Sequence, residues 1–138
     1  MESMETWILK VKISVLWIFT AVAFLVDMTV SVMEPGMIQQ VMAGEIEGMQ
    51  VGPEILLLLA ILFLVPLIMA FLSLTLKDSV NRWTNIIFGI VYAGFFLIGF
   101  IETLAQPSAH TLLLEGAIVV AAALIVRYAW KWPKQQPS

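Results

Sequence analysis

The chain has 138 residues, of which 61% are hydrophobic and 12% charged, with no cysteine and a mean hydropathy of +0.97. Soluble domains carry about 45–50% apolar residues, so this composition excludes an ordinary soluble domain and points to an integral membrane protein. Without cysteine, thiol catalysis, disulfides and thiolate metal sites are excluded as well, and the formal charge of −3 matters less than where each charge lies.

A bilayer core of roughly 30 Å takes about 20 apolar residues per helix. In chain order four windows of that size occur, at 11–33, 55–76, 83–101 and 111–130. The first contains "WIFTAVAFLVDMTVSVMEPG", an apolar run with Asp27 set inside it. Lys10, Lys12 and Ala21-Val22-Ala23 imitate a secretory signal, but the apolar run continues through Phe24, Leu25 and Val26, so an uncleaved helix is expected. The following segment, 34–53, is broken by Pro35, Gly36, Gly44, Gly48, Gly52 and Pro53. Within it Met37, Ile38, Val41, Met42 and Ile46 recur at helical steps and predict a short interfacial helix, with Gln39, Gln40 and Glu47 turned outward. In the second window Pro66 frees a backbone carbonyl and predicts a kink. Asp78 or Ser79 is expected to cap the third helix, which Arg82 and Trp83 anchor at the interface. Short connections make sequential helices antiparallel. The expected fold is therefore all-α: one transmembrane domain, an up-down-up-down four-helix bundle, with a short interfacial helix between helices 1 and 2.

Every basic residue falls at one end of this arrangement: Lys10 and Lys12, Lys77 and Arg82, then Arg127, Lys131 and Lys134. By the positive-inside rule both termini are expected to be cytoplasmic, and Trp7, Trp83, Tyr128, Trp130 and Trp132 form an aromatic belt at the same face.

The other end is acidic. Glu34, Glu45, Glu47 and Glu54 lie in or beside the first outer segment, Glu102 closes the third window and His110 opens the fourth, with no lysine or arginine among them. Asp27 and Glu115 lie inside apolar windows at comparable depth. Thr20, Asp27, Ser31 and Glu34 follow helical offsets along one stripe of the first helix. Ser108, Thr111 and Glu115 do so on the fourth, and Asn85, Gly89, Tyr92, Gly99 and Glu102 on the third, where glycine permits close helix approach.

An ionised carboxylate facing lipid costs about 2.5–3.5 kcal/mol on insertion scales, so such groups face a bundle interior or a wet cavity. Converging stripes predict an outward-opening acidic pocket with Asp27 and Glu115 at its floor, Glu34, Glu102 and His110 at its mouth, and Tyr92 and Asn85 lining it. A carboxyl so placed serves as a cation ligand, a carrier group that trades protons, or a general acid. The expected ligand is small or lipidic and cationic, the expected activity proton-coupled transport, and a homodimer the means of building a pathway. Two alternatives stand beside it. One is a membrane-embedded enzyme in which Asp27 and Glu115 share acid and base roles in an isomerisation or cyclisation; the other is a non-catalytic subunit of a larger membrane complex. No phosphate-binding glycine loop, HExxH motif or nucleophile elbow is present. The sequence implies no cofactor, no resident metal and no nucleic-acid partner.

The stretches "KVKISVLWIF" with Asp27 downstream, "EPGMIQQVMAGEIEGMQVGPEILL", "NRWTNIIFGIVY" and "YAWKWP" resemble an uncharacterised domain family of small prokaryotic membrane proteins with four predicted helices. The resemblance runs over nearly the whole chain, and a weaker one links it to DoxX-like four-helix proteins. It implies an inner-membrane four-helix protein without an assigned activity. Where the second helix of such proteins carries an acid before the proline, this chain has Val65-Pro66, so any role for that acid is absent.

Overall fold

The computed structural model describes residues 3–46 and 48–133. Helix α1, Met4–Val32, opens where the Ser3 hydroxyl accepts the Thr6 amide at 3.1 Å, the service a serine N-cap provides. Beyond it Pro35, which disfavours helical geometry in the residue before it, and Gly36, at φ +87°, turn the chain into α2, Met37–Met42. The interfacial helix is shorter than its apolar pattern predicts. Gly44 and Gly48 both take left-handed backbone angles, φ +77° and +81°, which glycine adopts without a Cβ clash. The chain therefore leaves the helix and forms a hairpin of β1, Glu45–Ile46, and β2, Met49–Gln50, with Glu45 opposite Gln50 and Ile46 opposite Met49. Glu47, expected to point outward, lies outside the described residues.

Three long helices follow: α3, Pro53–Thr75; α4, Asp78–Thr103; and α5, Ala109–Trp130. α1 and α4 reach well past the apolar windows at their basic ends. Neither Asp78 nor Ser79 caps α4. Lys77 holds the N-cap position without a side-chain hydrogen bond, and Asp78 instead pairs with the Lys10 ammonium at 3.2 Å. α1, α3, α4 and α5 are each long and apolar enough to cross a membrane, and 23 residues of α3 span about 35 Å at the helical rise. Large apolar side chains such as Leu57, Ile90 and Val120 are exposed on the outside of the helices, the surface a lipid solvent requires. The chain is built as a multi-pass membrane protein.

α1 packs closely along α3 and α5, and α4 along α5, whereas the backbones of α3 and α4 approach little. Side chains explain the difference. Between α4 and α5, Gly89 lies against Val126 and Ile125 so tightly that an added Cβ would stand 2.7 Å from a Val126 methyl. Between α3 and α4 an aromatic layer intervenes: Phe24 of α1 stacks on Phe63 at 4.2 Å and meets Phe96 edge-on at 5.0 Å. Below it Trp17 meets Tyr92 edge-on at 5.6 Å.

α3 continues through Pro66. Proline lacks the amide that would bond the carbonyl four residues earlier, which is that of Leu62. The Tyr92 hydroxyl donates to that oxygen at 2.9 Å, so the defect in one helix is repaired by the next.

Candidate functional site

The chain turn after α1 brings Glu34 to the start of α5. Its carboxylate lies 2.7 Å from His110 Nε2 and accepts from the Ser108 hydroxyl at 3.4 Å. Ser108 Oγ is also 3.0 Å from His110 Nε2, and Thr111 donates to Ser108 at 3.2 Å while lying 3.3 Å from His110 Nδ1. Ser108 occupies the N-cap position of α5 yet makes no capping bond. A serine there ordinarily accepts a backbone amide; this one is committed to the side-chain cluster instead.

Asp27 lies two turns below Glu34 on α1 and is 7% exposed. Glu34 and His110 are half-buried and Asp27, two turns earlier in the chain, is buried, so the acidic end grades from wet to dry along α1. The Asp27 Oδ1 has no hydrogen-bond partner among the described residues. Carboxylate oxygens have room for several donors, and a buried acceptor without one is costly, by about 1–3 kcal/mol.

The other expected site residues are distributed differently. Glu115 is half-buried and set against α4, where its carboxylate closes on Gly99, with a hypothetical Cβ 3.2 Å from Oε1, and accepts from Thr103 at 3.3 Å. Glu102 is exposed. At 3.6 residues per turn it stands about 100° around α4 from Asn85, whereas Thr103 falls in line with that face. Thr103 is the residue the sequence reading missed, and strict helical phase would have found it. Tyr92 is buried at the repaired proline and does not reach the acidic cluster as a free donor.

Asn85 belongs to a separate polar knot nearer the basic end. Its Oδ1 accepts the Trp17 indole at 2.6 Å and the Ser73 hydroxyl at 3.1 Å, and its amide donates to the carbonyl and Oδ1 of Asn81 at 2.9 and 2.6 Å. Asn81 in turn donates to the Ser73 carbonyl at 2.8 Å. The knot ties α1, α3 and α4 together. Along α1 the order is Trp17, Thr20, Phe24, Asp27, so the aromatic layer around Phe24 lies between this knot and the acidic cluster. Among the described residues no group of three or more His, Asp or Glu side chains is placed to hold a metal ion.

No curated protein and no solved structure matches the chain. Residues 5–137, spanning α1 to α5 and with them both the acidic cluster and the polar knot, match the family of unknown function DUF6326, and to that family the chain belongs.

Proposed function

We propose that the acidic end of the bundle binds a small cation bearing N–H donors, such as a protonated amine, with Asp27 as its principal acceptor and Glu34 and His110 at the entrance. The observation that carries this reading is the Asp27 carboxylate: buried, one oxygen without a donor, two turns below the Glu34 carboxylate that pairs with the His110 imidazole. A protonated amine supplies both the missing hydrogen bond and the compensating charge. Ser108 and Thr111 hold the imidazole between them.

Proton-coupled carriage is the activity this binding serves. Trading a bound cation for a proton needs a buried titratable acid beneath an outer, wetter pair, and Asp27 lies two turns before Glu34, which pairs with His110. Phe24, Phe63 and Phe96 form the apolar layer that separates the outer cluster from the inner polar knot, a constriction of the kind that gates by excluding water. Paired-carboxyl catalysis draws less support, because Glu115 is engaged by Thr103 and Gly99 on α4. The protein is read as an inner-membrane bundle of up-down-up-down topology with both termini cytoplasmic, which the confinement of Lys10, Lys77, Arg82 and Arg127 to one end supports.

Thermal unfolding of the nanodisc-embedded protein tests the binding. At matched ionic strength methylammonium should raise the melting temperature, by linkage to the folded state, whereas tetramethylammonium, which has no N–H, should not. The effect should vanish in Asp27→Asn. Equal shifts with both cations, or a methylammonium shift that persists in Asp27→Asn, would contradict the assignment.

A further inference from the structure

At the basic end a cavity of about 720 Å³ opens between the start of α4 and the end of α5, lined by Lys10, Lys77, Asp78, Arg82, Trp83 and Trp132 among others. The ion pair of Lys10 with Asp78 offsets the one carboxylate in the lining, so Lys77 and Arg82 set the sign of the cavity. Arg82 is held in place by donating to the carbonyls of Ala129 and Trp130, at 3.2 and 3.4 Å, where α5 ends. It also lies over the rings of Trp83 and Trp130, at 5.3 and 5.6 Å. Two carbonyls use only part of the donor fork of a guanidinium.

Two further features of the cavity call for an anion that accepts hydrogen bonds. The first turn of α4 borders it, with Lys77 at the N-cap making no side-chain capping bond, and a helix N-terminus carries partial positive charge. Independently, the Trp132 indole N–H is buried, 4% exposed, and has no acceptor among the described residues. An indole nitrogen can only donate, and buried indoles usually find a partner.

We propose that this cavity is a binding site for a phosphate group, with the Trp132 indole, Arg82 and Lys77 as its donors. A tetrahedral anion with several acceptor oxygens meets the guanidinium fork, the ammonium, the helix terminus and the orphan indole together. Indole faces and Pro133 beside them suit the zone where lipid headgroups sit. The phosphate is that of a lipid phosphodiester or of a soluble phosphate ion, and the two sources are separable by experiment. The site is independent of the acidic cluster at the opposite end.

The test is the indole region of the NMR spectrum of ¹⁵N-labelled protein in maltoside micelles, which contain no phosphate. Five tryptophans are present, and Trp132→Phe, which keeps an aromatic ring in the core, assigns the Trp132 signal. Phosphatidylglycerol, inorganic phosphate and oleate are titrated separately. A saturable Trp132 shift with phosphatidylglycerol identifies a lipid headgroup site, and the same shift with inorganic phosphate a soluble ligand. In either arm Lys77→Gln, at an exposed position, should weaken the apparent affinity about fivefold, the factor one basic side chain near an anionic surface supplies. The proposal is overturned by a Trp132 signal that stays still in both phosphate arms, by an equal response to oleate, or by affinity unchanged in Lys77→Gln.

Discussion

Pro66 and Tyr92 lie on neighbouring helices, 26 residues apart in sequence, yet one carbonyl, that of Leu62, links them. Because the Tyr92 hydroxyl serves the Leu62 carbonyl that Pro66 leaves without an amide, Tyr92→Phe should lower stability by about 1 kcal/mol, the scale of hydrogen bonds between membrane helices. Pro66→Ala supplies an amide to Leu62, so the double variant should lose less than Tyr92→Phe alone. A double-mutant cycle by denaturant titration in micelles measures the difference, and additive losses would show that the phenol does not serve this carbonyl. Asn85 makes the same point differently. Its place on a polar stripe was legible in the sequence, but its partner was not: Trp17 is 68 positions away, and the rotation of α1 decides whether that indole faces Asn85 or an aromatic belt.

At the level of helices, phase separates what the sequence disclosed from what it did not. Residues 85, 89, 92 and 96 fall within one helical face and are all buried, so the contact side of α4 could be read in advance. Glu102 was placed on that face by steps of four, three, seven and three from Asn85, and over those 17 residues the accumulated drift carries it to the exposed side. Glycines divide in the same way. Gly89 is pressed against α5, where a Cβ would meet a Val126 methyl at 2.7 Å, whereas Gly94 has nothing within 4 Å of its hypothetical Cβ. Gly89→Ala should therefore force α4 from α5 and cost about 1–3 kcal/mol, the range for overpacking. Gly94→Ala should be neutral or stabilise by about 0.5–1 kcal/mol through helix propensity. Unfolding midpoints of the two variants under one condition check the contrast, and equal effects would refute the tight α4–α5 seam.

Across the whole molecule, charge and hydropathy were enough to count the long helices, because a lipid solvent demands length and apolarity from each one separately. They were not enough to predict the hairpin after α2, where the positive φ of Gly44 and Gly48 outweighed a helical repeat of apolar residues. They placed Asp27 and Glu115 at one depth but did not disclose that Glu34 pairs with His110 or that Glu115 sets against Thr103 and Gly99. The asymmetry of the basic residues makes a further prediction. The chain has no native cysteine, so single cysteines report cleanly. In intact cells Gln39→Cys, exposed on α2, should react with a membrane-impermeant maleimide, and Lys77→Cys, exposed between α3 and α4, should react only after lysis. The reverse pattern would invert the molecule and put the acidic cluster in the cytoplasm.

The role of Asp27 is tested most directly by infrared difference spectroscopy of its carboxyl group as methylammonium is added to nanodisc-embedded protein, with Asp27→Asn identifying the band. A saturable change in the Asp27 band, weakened in Glu34→Gln and lost in Asp27→Asn, is the predicted result. A difference spectrum identical in wild type and Asp27→Asn would contradict it, leaving Asp27 a buried acid that meets no cation.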